Sequence, residues 1–318
     1  MENNKSFNWT RSAIIGLVGL GSCLTLGLML YVKPNTSNGQ TTQTIDIKNL
    51  SLKAVTQQQI EGFKATMLTT LQKESAIKGF DYDLPKRFEG ALISEATLPA
   101  KEKVIALTFD DGPWPQSTAQ VLDILKKNNI KATFFIVGQN LKVHPDLGKR
   151  VVNEGHIIAN HTWHHWYHYM NPQTSAFEID NTSNLIYQVT GVKTTLFRPP
   201  GGIKTNGPYN YAKNQKYATI MWSSDSSDYS RPPVARLIHN VMREAKPGGI
   251  VLMHDGGGNR SNTVAALPQI INNFRKQGYR FVTIPELLDM QDKQLQATVT
   301  ATTKTTTNTV PSTPVKKP

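Results

Sequence analysis

The chain has 318 residues, a formal net charge of +12 and a single cysteine. That length holds one large α/β domain or two smaller ones, so size does not limit the core. One cysteine excludes an internal disulfide and a thiolate metal cluster, while the positive charge suits nucleic acid or an acidic surface and leaves location to decide between them.

Residues 12–32, SAIIGLVGLGSCLTLGLMLYV, carry no charge over 21 positions, enough for a helix to cross the roughly 30 Å of bilayer hydrocarbon. Lys5 and Arg11 precede the run, so the positive-inside rule makes residues 1–11 a cytoplasmic tail and 12–32 a transmembrane anchor. Trp9 and Tyr31 sit near its two ends, where aromatic rings favour the membrane interface. Everything after Lys33 would then be extracytoplasmic, on the periplasmic or cell-wall side. A cleaved signal peptide is the competing reading, but no A-x-A site is evident and the run is long for one. Cys23 lies inside the run and reads as a small membrane residue.

Residues 33–101 read as a spacer and helical stalk. The stretch 33–46 is polar, and Ile60, Phe63, Met67 and Leu71 recur at helical spacing after it. From 102 to 290, strand-like and helix-like segments alternate. Strand candidates are 103–109, 132–137, 156–160, 194–197, 217–222, 249–254 and 279–284. Helical patterns fill the gaps at 117–128, 145–154, 173–190, 234–245 and 263–277. Such alternation predicts a parallel sheet, and seven units predict a barrel, whose active site is built where the strands end. Residues 291–318 are Thr-rich, with Lys and Pro and no aromatic ring, and read as a disordered tail.

Polar residues collect after the strands. IALTF runs into Asp110 and Asp111; alone, Asp-Asp-Gly is ordinary turn punctuation, but other strand ends supply partners for two carboxylates. HTWHH places His161 and His165 at i and i+4, so one helical turn or a tight loop could aim both imidazoles at one point. The spacing equally allows His161 with His164. Two His and one carboxylate leave a fourth position for water, the mark of a catalytic rather than a structural zinc site. One Asp can hold the ion while its neighbour faces that water, because successive side chains at a strand end diverge. His254, closing the apolar run IVLM, could protonate a leaving group, with Asp228 a candidate to orient it.

The motifs TFDDG (108–112), HTWHH (161–165), RPPGG (198–202), DSSDY (225–229) and LMHD (252–255) together resemble, in order, those of the polysaccharide deacetylases of carbohydrate esterase family 4, with the nodulation-protein-B-like domain. The resemblance implies an α/β fold of the deformed (β/α)7-barrel type. It implies Asp110 as general base, Asp111, His161 and His165 as metal ligands, Arg198 holding Asp110, and Asp228 orienting the general acid His254. It also implies an oxyanion donor in the Gly201 backbone N–H and a pocket for the acetyl methyl lined by Leu252. Two positions depart from the family pattern: Gly201 stands where an aromatic is frequent, removing a wall of the groove, and Tyr229 stands where Trp is usual.

The expected activity is removal of N-acetyl groups from N-acetylglucosamine units of a cell-envelope polysaccharide, peptidoglycan first, with release of acetate. The expected cofactor is a divalent ion, Zn2+ first, with Co2+, Ni2+ and Mn2+ also suited to two His and one Asp. The expected partners are an acetylated glycan and, through the N-terminal helix, a membrane; no nucleic-acid motif is found. An O-acetyl esterase acting on a xylan-like glycan, or an inert wall-binding module, would use the same scaffold. G-x-S-x-G, H-E-x-x-H and P-loop signatures are absent.

Overall fold

The structure, a computed structural model, describes residues 84–99 and 101–307, with side chains as far as Val299. The expected tail 1–11, the anchor 12–32 and the spacer to residue 83 lie outside the described residues. Among the described residues no helix is long and apolar enough to cross a membrane.

The central strand β2, Val104–Asp110, is buried at every position, as a parallel strand covered on both faces must be. It pairs in parallel with β8, Gly249–His254, along Ile105–Asp110. It also pairs with β9, Arg280–Val282, through Val104–Ala106, and with β3, Thr133–Ile136, through Thr108–Asp110. Outward from β3 come β4 (Ile157–Asn160), β5 (Leu196–Phe197), β6 (Ala218–Ile220) and, at the edge, β1 (Leu92–Ile93), all parallel. The sheet curls closed at two places: past β1, Glu95 bridges Gly249 at the start of β8 and the Ala96 N–H donates to the Gly248 carbonyl, and a second bridge follows β6. Just past β6 the Met221 N–H donates to Ile93, whereas the Ser223 N–H donates to Ile250, and β7, Ser224–Asp225, pairs with β8.

Period-two alternation along each strand decides what faces where. Ile105, Leu107 and Phe109 of β2 join the cluster formed with helix residues such as Leu122, Leu267 and Phe274. Val104 and Ala106 join the second cluster, within the curl and against Leu287 and Leu288. Thr108 and Asp110 share that inner face, and at the strand's end Asp110 stands in register with His254 of β8. Met253 packs into the helix-side cluster, so His254 points the other way. The barrel interior is therefore apolar at its base and polar at its C-terminal rim.

Four features differ from the sequence-based expectation. The sheet has nine strands, because β1 and β7 are two-residue pairings too short to carry a periodic signal. The unit begins before residue 102: Phe88, Ile93 and Ala96 are buried in its core, so residues 84–99 are not spacer. Nor are residues 291–307 a disordered tail, since the helix Ile284–Thr307 runs through them. Leu287 and Leu288 seat its first turns in the core and Arg87 pairs with Asp292, while no Gly or Pro interrupts the chain from 286 to 310. Short helices at Gly138–Val143 and Pro208–Asn214 were not anticipated either.

Candidate active site

Asp110 ends β2 in extended backbone, and Asp111 turns the chain with φ 72, a left-handed conformation that Asp tolerates better than most residues. The turn is fixed by three hydrogen bonds: the Asp110 carbonyl accepts the Asp255 N–H at 3.0 Å and the Gly256 N–H at 3.2 Å, and the Asp111 carbonyl accepts Asn140 Nδ2–H at 2.8 Å. The two carboxylates consequently diverge. Asp110 Oδ1 accepts from Arg198 Nη1 at 2.7 Å, and Asp111 Oδ1 lies 3.0 Å from His165 Nε2 and 3.5 Å from His161 Nε2.

The stretch 161–165 is a turn, not a helix, with positive φ at Thr162 (66) and His165 (62). The Thr162 N–H donates to Asn160 Oδ1 at 2.8 Å and the His165 N–H to Thr162 Oγ1 at 3.1 Å. His164 is turned away from His161: its Nδ1 meets Glu178 Oε1 at 2.5 Å. The choice between His164 and His165 as partner of His161 is thereby made for His165.

His161 Nδ1–H donates to the Arg198 carbonyl at 2.7 Å, which leaves Nε2 as a lone pair pointing at the Asp oxygens. Asp111 Oδ1 is buried and has no hydrogen-bond partner. A lone pair and an orphaned carboxylate oxygen face to face are repulsive unless a cation stands between them. The ligand atoms of Asp111, His161 and His165 all lie within 4.8 Å of one another, and two imidazoles with one carboxylate suit a divalent metal. The residues present therefore fit such an ion. Burial raises the Asp111 carboxyl, but His161 and His165, whenever they carry a proton on the facing nitrogen, outweigh it and hold the group well below the usual carboxylate value.

Arg198 is fully buried. Its guanidinium donates to Asp110, to Thr108 Oγ1 at 2.8 Å, and to the carbonyls of Ile220 (2.9 Å) and Met221 (3.0 Å), with its face 4.0 Å from the Phe135 ring centroid. Across the rim, Asp228 Oδ1 accepts from His254 Nδ1 at 2.6 Å and Oδ2 from the His254 N–H at 2.8 Å. Burial pulls the His254 imidazolium down, but the bond to Asp228 and the charges of Asp228, Asp110 and Asp111 push it up to about 9. It is therefore a proton donor at neutral pH.

A cavity of about 490 Å³ unites Asp110, Asp111, His161, His165 and His254 with Gly201, Tyr229 and Leu252. Arg198 and Asp228 stand just behind it, each bonded to a residue that lines it. All ten residues singled out from sequence are thus brought to one rim. Several others were missed. Thr263 Oγ1–H donates to Asp228 Oδ2 at 2.7 Å, and buried Arg260 donates to the Asp228 carbonyl at 3.2 Å and lies 4.0 Å from Asp111 Oδ2. Buried Asp255, pushed up to about 7 first by burial, accepts from Thr118 Oγ1 at 2.5 Å and ties the β8 exit to a helix start. Trp222 and Tyr167 also line the cavity. The aromatic crowding of HHWYHY hinted at Tyr167 and the last position of LMHD at Asp255; Thr263, Arg260 and Trp222 stand in no motif.

A curled parallel α/β sheet that gathers a carboxylate, an imidazolium and a metal-ligand triad at the carboxyl ends of its strands has the groups that hydrolysis by an activated water needs. The polysaccharide deacetylase family model matches residues 97–220. A peptidoglycan-N-acetylglucosamine deacetylase of Bacillus cereus is 45% identical over 194 residues, which are 60% of this chain and 91% of the relative. A solved peptidoglycan N-acetylglucosamine deacetylase, in complex with a naphthyl N-oxidanyl-benzamide, aligns with TM-score 0.59 and 33% identity over 63% of this chain and 94% of its own. A pseudoenzyme of carbohydrate esterase family 4 from Bacillus anthracis aligns with TM-score 0.58 and 31% identity, over 63% and 70%. The chain belongs to the polysaccharide deacetylases of carbohydrate esterase family 4.

Proposed function

We propose that this deacetylase removes N-acetyl groups from N-acetylglucosamine units of a cell-envelope polysaccharide, peptidoglycan first, using a divalent ion, Zn2+ before Co2+, Ni2+ or Mn2+. The observation that carries the reading is the convergence of Asp111, His161 and His165 beside a carboxylate on one strand and an imidazolium in register on the next. We further propose that residues 12–32 anchor the chain in a membrane with the catalytic domain outside, on the strength of their uncharged length and the preceding Lys5 and Arg11.

Asp111, His161 and His165 would hold the ion, which when bound supplies Lewis acidity to water and to the acyl oxygen. Asp110 takes the proton of the attacking water: Arg198 occupies its Oδ1, leaving Oδ2 facing the cavity, 3.6 Å from His161 Nε2. As the C–O bond forms, the Gly201 N–H donates to the developing oxyanion, an interaction whose removal elsewhere costs about 3 to 4 kcal/mol. His254 then delivers its proton to the departing nitrogen as the C–N bond breaks, giving acetate and a free amine. Asp228 keeps that imidazole in the tautomer and orientation the transfer needs. Leu252 and Trp222 supply apolar surface beside the acetyl methyl, and Tyr229 faces the sugar.

Against an inert wall-binding role speaks the presence of every candidate group, with Asp110, Asp111, His161, His165 and His254 lining one cavity. Mass spectrometry of peptidoglycan fragments and chito-oligosaccharides before and after incubation tests the reading. Loss of one acetyl per reacted unit is the expected result, and Asp110→Asn should slow it about 10²- to 10⁴-fold. Full activity in that variant would remove Asp110 as the base, and release confined to O-acetyl groups would replace the amidase with an esterase.

A further inference from the structure

We propose that Tyr167 is the wall on which the reacting sugar stacks, and that Gly201 lacks a side chain because that ring already fills its place. The inference rests on the deacetylase reading and names a residue that fixes its glycan. A Cβ built on Gly201 would lie 2.8 Å from Tyr167 Cε1 and 3.3 Å from Cδ1, too close for any side chain while the ring stays where it is. Gly201 also has φ 60, so glycine is required there by backbone and by space alike.

The loop that carries the ring is tethered on both sides before any ligand arrives. On its N-terminal side, buried Glu178 accepts the N–H groups of Trp163 (2.9 Å) and His164 (2.8 Å). The His164 ring stacks on Trp166 at 4.1 Å and 7° and on Phe177 at 5.9 Å and 10°. On its C-terminal side, Asn206 Nδ2–H donates to the Tyr167 carbonyl at 3.3 Å and the Met170 N–H to the Asn206 carbonyl at 2.7 Å. A loop tethered in this way loses little backbone entropy on binding.

Its position suits a pyranose. Tyr167 stands edge-on to the metal-site residue His165, centroids 5.1 Å apart at 82°, and 57% of its surface remains exposed. Tyr229 stands in the same relation to His254, at 5.8 Å and 80°, and is 54% exposed. Two open rings thus flank the reacting centre within one cavity. A β-linked N-acetylhexosamine, with ring substituents equatorial and an apolar C–H face, can lie against Tyr167 while its acetamide reaches the ligands and the acid.

The test combines calorimetry and kinetics on the full chain. In an Asp110→Asn background, slowed enough for binding to be read before appreciable turnover, Zn2+-loaded protein is titrated with the β-1,4-linked tetramer of N-acetylglucosamine. Tyr167→Ala should weaken binding about tenfold and Tyr167→Phe less than about twofold. With Asp110 intact, the alanine variant should raise KM in the same proportion with a much smaller change in kcat. Titration with Zn2+ alone should give closely similar affinities for both variants, separating sugar stacking from support of His165. Unaltered tetramer affinity in Tyr167→Ala, or a parallel loss of Zn2+ affinity, would overturn the proposal. Gly201→Ala should lower Tm more in the chain carrying Tyr167 than in Tyr167→Ala, because backbone strain is common to both; equal losses would refute the claim about space. Absence of acetate release by the unsubstituted chain would instead sink the deacetylase reading, while the titrations still judge the wall.

Discussion

His254 and Asp111 set two measurable behaviours at the scale of single residues. The folded imidazolium titrates near 9, above the roughly 6.5 of an unfolded histidine. The stability it contributes is therefore complete below about 6.5 and is lost as pH rises through about 9. Activity needs the same proton, so kcat should fall on an alkaline limb. That limb should lie below 9 in the metal-loaded enzyme, because a cation beside Asp111 offsets part of the negative charge that retains the proton. Asp228→Asn removes the larger part of the upward push and should move the limb further toward 6.5, read in a pH–rate profile; an unmoved limb would exclude His254 as the acid. Asp111→Asn keeps the side chain's size and loses its charge. Zn2+ affinity, measured calorimetrically, should drop by more than the about 10- to 100-fold typical of losing an outer-sphere partner.

At the scale of elements, Arg198 fastens three strands at once. It leaves β5, pairs with Asp110 of β2, and satisfies the carbonyls of Ile220 and Met221 where the chain crosses from β6 toward β7. Burial lowers its pKa and Asp110 opposes that fall. Arg198→Met would leave the Asp110 carboxylate buried without a counter-charge, and removing one partner of such a pair costs about 3 to 5 kcal/mol. Urea unfolding should show a loss of that order, accompanied by a fall in kcat because Asp110 is no longer aimed. The arginine belongs to RPPGG and was legible as a partner for Asp110 through the family pattern. Its grip on the Ile220 and Met221 carbonyls was not, because backbone acceptors leave no trace in a sequence.

Across the whole molecule, the boundary of the folding unit matters more than its strand count. A chain starting at residue 102 lacks β1 and the buried Phe88, Ile93 and Ala96. Large buried apolar side chains contribute about 1.5 to 3 kcal/mol each, so thermal melting should begin several degrees lower than for a chain starting at residue 84. Equal melting temperatures would show that the edge strand is dispensable. Charge behaves differently at this scale: the +12 total suits attraction to an anionic envelope polymer, which added salt should weaken without altering the chemistry of the rim.

The sequence by itself determined the order of the β/α units, because buried parallel strands and amphipathic helices each write their own period. Through its resemblance to a family it also pointed to the ten residues that the fold gathers at one rim. It did not determine that β6 and β7 would close the curl, since pairs of two or three residues carry no period. Nor could it choose between His164 and His165, because a three- and a four-residue spacing are equally able to bring rings together. Tertiary structure made that choice: positive φ at Thr162 and His165 bends the loop, and buried Glu178 on the following helix draws His164 away. The place of Tyr167 was decided in the same way, by a ring and a glycine that are distant in the chain and adjacent only once the sheet has curled.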